Sequence, residues 1–94
     1  MKEKIIKSSG NVFDDLGFSK EESAVLKMRA DLMAKVRDSI AKNGWTQSEA
    51  AAVLQISQSR VSDLIRGKRD KFSLDMLVML ATRAGNKVAV EIAA

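Results

Sequence analysis

Residues 46–67 read TQSEAAAVLQISQSRVSDLIRG, and the fold turns on this stretch. Thr46 followed by Glu49 is a capping box, in which the hydroxyl and the carboxylate each satisfy a free backbone N–H at a helix start. The helix so opened runs from Gln47 to about Leu54. Ser57 caps a second helix, Gln58 to about Arg66, and Gly67 closes it. Ala51 stands where the two helices would cross, because a small side chain permits close approach. Val53, Leu54, Ile56, Val61 and Leu64 supply a shared apolar core.

Two short helices joined by a tight turn over a common core are the physical specification of a helix-turn-helix. The residues left over on the second helix are polar: Gln58, Ser59, Arg60, Ser62, Asp63 and Arg66. In a DNA major groove Gln suits adenine and Arg suits guanine. Between Gln58 and Lys71 five positive charges (Arg60, Arg66, Lys68, Arg69, Lys71) stand against two negative (Asp63, Asp70), so +3 of the chain's net +4 lies in this stretch. A basic run at the end of a recognition helix is where phosphate contacts help binding. Arg66, Lys68, Arg69 and Lys71 are therefore phosphate candidates. Asp63 has two readings: it accepts from a cytosine amino group, or it pairs with Arg60 or Arg66, each three residues away.

Outward from the motif, the same punctuation recurs. Ser19 and Glu22 form a capping box ahead of Val25, Met28, Leu32, Val36 and Ile40, whose spacing predicts one long helix from Lys20 to about Asn43, closed by Gly44. Asn11 caps a short helix, Val12 to Leu16, stopped by Gly17, and Ser73 caps a last helix, Leu74 to about Ala84, followed by Gly85. Trp45 and the methionines Met28, Met33, Met76 and Met79 read as core. Asp14 and Asp15 read as a solvated helix face. The apolar knot Val12, Phe13, Leu16 and Phe18 docks either on the protein's own core or on a partner.

Past Gly85 the period changes. Val88, Val90 and Ile92 alternate with Lys87, Ala89, Glu91 and Ala93, which predicts a β-strand. A lone strand needs a partner. That partner is Ile5-Ile6 in the polar opening ten residues, or the same strand of a second copy, so Val88, Val90 and Ile92 are dimerisation candidates. The expected fold is all-α, with four main helices, a short N-terminal helix and this C-terminal strand pairing across a dimer. The expected organisation is an N-terminal segment, 1–18, and a DNA-binding domain, 19–94.

Composition narrows the function. Ninety-four residues make one domain. The chain has no Cys, His, Tyr or Pro. Disulfides, thiolate metal sites and every histidine-dependent triad are thereby excluded, and the expectation is a binding protein, not an enzyme, with no cofactor and no metal. The longest apolar run is Met76–Ala81, far below the roughly 20 residues that span a bilayer. The opening MKEKIIKSSG lacks the apolar stretch of a signal peptide. A cytoplasmic location without membrane contact is expected.

The motif resembles the Xre-type, lambdoid-repressor-like helix-turn-helix family through Thr46-Gln47, Glu49, Ala51, Leu54, Ser57, Val61-Ser62 and Arg66-Gly67. Gln55 departs from it, standing where the family usually has Gly in the turn. Together with SGNVFDDLGF at 9–18, LKMRADLMAKV at 26–36 and RGKRDKFSLDML at 66–77, the chain resembles HigA-type antitoxins within that family. The resemblance implies a lambda-repressor-like helical domain that binds duplex DNA as a homodimer at a palindromic operator. At its matched positions it implies Gln58, Ser59, Arg60 and Asp63 toward bases, with Gln47 and Ser62 near phosphates. It further implies repression of the chain's own operon and neutralisation of a RelE/ParE-like toxin, for which Val12, Phe13, Leu16 and Phe18 are the candidate contacts. The alternatives are a stand-alone Xre-type regulator, or a protein-interaction adaptor of the same fold.

Overall fold

The computed structural model describes residues 11–93; the reading of residues 1–10, Ile5-Ile6 included, lies outside them. Five α-helices follow in order: α1 (Val12–Asp15), α2 (Lys20–Asn43), α3 (Gln47–Leu54), α4 (Gln58–Ile65) and α5 (Leu74–Arg83), with a 3-10 turn (Arg69–Lys71) between the last two. Each helix start follows from its cap. The boxes Ser19/Glu22 and Thr46/Glu49 both close in full, Ser57 accepts from the Arg60 N–H, and Ser73 accepts from the Met76 N–H. Helix ends fall within one residue of the sequence reading.

One core holds the helices together. Met33, Val36 and Ile40 of α2 meet Ala50 and Leu54 of α3, Val61 and Leu64 of α4, Phe72, and Leu77, Leu80 and Ala81 of α5. Ala50 is fully buried in this core, while Ala51 is half-buried and packs against it. Trp45 and Ile56 pack against this core as half-buried residues. Polar ties fix its far side. Arg83 donates from Nη1 to the Leu54 carbonyl at 3.0 Å, closing the end of α3. Asn86 donates from Nδ2 to Ser39 Oγ and to the Ala81 carbonyl.

The N-terminal helix docks on α2. Asn11 Nδ2 donates to the Ser23 carbonyl at 3.0 Å, and the Ser23 hydroxyl donates to the Phe18 carbonyl. Phe13 is buried, with its ring edge-on to Phe18 at 6.2 Å between centroids.

Three expectations are corrected. First, no strand is present among the described residues. A strand exists only within a ladder, and no described segment runs beside the tail. Val88 turns onto the helical core, half-buried, while Val90 is 67% and Ile92 89% exposed. Second, the apolar stripe of α2 is covered over only half its length. Val25 and Met28 are 41% and 38% exposed, whereas Met33, Val36 and Ile40 further along the same helix are buried in the core. Third, of the four methionines read as core, Met33 is buried and Met76 half-buried, while Met28 and Met79 are exposed. Among the described residues no helix is long and apolar enough to cross a membrane.

Candidate nucleic-acid interface

The face opposite the core of α4 begins at its first turn. Burial of Val61 and Leu64 rotates Gln58 and Ser59 outward, and both are exposed. Gln47, the first residue of α3, is exposed too. Ser62 is half-buried. Beyond the helix, Arg66, Lys68, Arg69 and Lys71 are all exposed. Gly67 makes this turn possible: its φ is +73°, and a β-carbon there would lie 3.1 Å from Arg37 Nη1.

Two of the expected base contacts sit differently. Arg60 does not stand free on the helix. Its Nη1 donates to the Lys71 carbonyl at 2.7 Å, and its guanidinium lies over the Phe72 ring, 5.2 Å from the centroid. Cation–π contact and hydrogen bond together clamp the 3-10 turn onto α4. Asp63 does not face outward: its side chain is 17% exposed, and its carboxylate lies 3.8 Å from Arg66 Nη2. Of the two readings for Asp63, this geometry realises the pair with Arg66, and so long an exposed contact contributes little to stability.

Arg69 is held from another side. Its guanidinium lies over the Phe13 ring at 5.5 Å, so α1 supports the basic turn. Phe13 thus serves the chain's own packing, whereas Val12, Leu16 and Phe18 stay exposed. The tail residues Val88, Val90 and Ile92 lie apart, beyond α5.

Sequence reasoning missed two arginines of α2. Arg37 abuts Gly67, and Arg29 lines a cleft with Arg60 and Lys71. Both contacts join residues about 30 or more positions apart, and no local spacing announces them.

The arrangement is a polar surface ringed with exposed cations, suited to gripping a polyanion. A family model described as a helix-turn-helix domain matches residues 12–93. No curated protein matches the chain.

Proposed function

Because the chain belongs to this helix-turn-helix domain family, we propose that it is a sequence-specific duplex-DNA-binding repressor acting as a homodimer on a palindromic operator. The observation that carries the reading is the exposed first turn of α4, Gln58 and Ser59, flanked by the exposed cations Arg66, Lys68, Arg69 and Lys71. Gln58 and Ser59 read base edges, and the cations, with Gln47 and Ser62, hold phosphates. Arg60 reaches a base only with the donors left over from its clamp on the turn. Asp63 lies at the margin of the face. Fluorescence anisotropy with the operator tests this division. Gln58→Ala relaxes the choice at one base pair, whereas Lys68→Ala weakens binding to all duplexes alike and lowers the salt slope by about one. Equal effects of the two substitutions on every sequence would refute it.

The dimer is assigned to the tail. Val90 and Ile92 are exposed apolar residues of the tail, and contact with the tail of a second copy covers them. Such a pair sets two α4 helices on successive turns of DNA, about 34 Å apart.

A second reading adds the antitoxin role, with a RelE/ParE-like toxin as partner. The observation favouring it is the uncovered apolar surface of Val12, Leu16, Phe18, Val25 and Met28, bordered by Asp14, Asp15, Glu21 and Glu22. An enzyme that grips RNA must carry positive charge, which this acidic border complements. Co-expression with the neighbouring gene product decides between this and a stand-alone regulator. Leu16→Asp and Phe18→Asp then abolish protection from toxicity. A neighbour without toxicity leaves the stand-alone regulator.

A further inference from the structure

We propose that the cleft between α2, the first turn of α4 and the 3-10 turn is a phosphate-binding site held by Arg29, Arg60 and Lys71. The cleft measures about 400 Å³. Three cations line it against one carboxylate, Asp70. The ion pairs among the described residues are Lys27–Asp31 and Asp63–Arg66. Asp70 therefore makes no ion pair with any of the three cations, and the lining keeps a net positive charge with Asp70 counted.

Arg29 supplies the second observation. Its Nε is buried and has no hydrogen-bond partner among the described groups. A buried donor on a charged group is costly unless an acceptor meets it. Arg60 contributes the donors beyond the one it gives to the Lys71 carbonyl, and the Lys71 side chain is exposed at the rim. Guanidinium forks match the tetrahedral oxygens of phosphate, and the ammonium adds a point charge. Phe72 and Met76 form an apolar wall of the cleft, which lowers the local dielectric and strengthens each contact.

Because Arg60 belongs to the first turn of α4, the cleft borders the surface proposed to meet DNA. A backbone phosphate is the source that this position favours, and in that form the proposal rests on the DNA-binding reading. Free phosphate offers the same chemistry. Two titrations of the full chain separate them, one with a short mixed-sequence duplex and one with inorganic phosphate, followed by amide NMR at Arg60, Lys71 and Phe72. Arg29→Gln lowers duplex affinity about three- to tenfold and the salt slope by about one, while Arg29→Lys restores the slope but only part of the affinity, since it returns the charge without the guanidinium fork. Lys71→Gln, at an exposed position, lowers the slope alike without touching the core, and combined with Arg29→Gln it costs less than the two separate losses together.

If inorganic phosphate shifts these amides in an Arg29-dependent way and the duplex does not, the site stands with free phosphate as its ligand. If the wild type binds no duplex but takes phosphate here, the DNA reading fails and the site stands. Unchanged duplex slope and unchanged phosphate response in folded Arg29→Gln, or in Lys71→Gln, would overturn the proposal.

Discussion

Gln55 ends α3 at φ +60°, the one described residue other than glycine in the left-handed region. A side chain there costs about 1–2 kcal/mol through contact of its β-carbon with the following carbonyl. Gln55→Gly relieves that strain, and part of the gain is offset by the looser unfolded chain. The expected outcome is a net stabilisation of about 0.5–1 kcal/mol, read as a higher denaturation midpoint with an unchanged slope. Arg60 was legible as a polar residue on α4, but its partners were not. Phe72 and the Lys71 carbonyl approach it only once α4 and the 3-10 turn have folded against one core. Arg60→Ala therefore frees the turn as well as removing a donor. Faster hydrogen exchange at Lys71 and Phe72 and weaker binding to every duplex are expected. A variant altered at a single base pair with full general affinity would show that Arg60 acts on bases alone.

The helices were legible because caps are local. Asn11, Ser19, Thr46, Ser57 and Ser73 each bond a backbone N–H within three residues, so spacing alone reveals them. The α5 cap carries a titration as well. Ser73, then the Asp75 and Met76 backbone N–H groups, hold the Asp75 carboxyl below its ordinary value. The folded chain thus binds that proton less tightly than the unfolded chain. The resulting stability is full above the ordinary carboxylate pKa and is lost as pH falls through the depressed folded value. Ser73→Ala returns the carboxyl toward its ordinary value in an NMR titration. It also removes a cap worth about 1 kcal/mol by denaturation at neutral pH. The exposed half of the α2 stripe was not legible. Periodicity marks Val25 and Met28 as one face with Val36 and Ile40, but it cannot say how far the other helices extend over that face.

At the scale of the whole molecule, the motif and its core form within the chain, whereas no strand forms among the described residues. Alternation over 87–93 predicted a strand that the described residues do not form: Val88 packs on the helical core while Val90 and Ile92 stay exposed, because local pattern carries no information on whether a pairing partner is present. Val90→Glu with Ile92→Glu is expected to give a monomer by sedimentation, with operator affinity lowered by at least about tenfold, because two half-sites then bind independently. The helical fold, unaffected by two exposed positions, keeps its circular dichroism, while the melting temperature loses its dependence on protein concentration. The reading of α4 as the DNA-recognition element rests on Gln58, Ser59 and the cations around them. Its decisive test is selection of duplexes from a random library by the full chain. The expected result is enrichment of one palindromic motif with half-sites about 10 base pairs apart, in which Gln58→Ala shifts the preference at a single symmetric pair of positions. Recovery of no motif from the library, or of the same motif unchanged by Gln58→Ala, would contradict it.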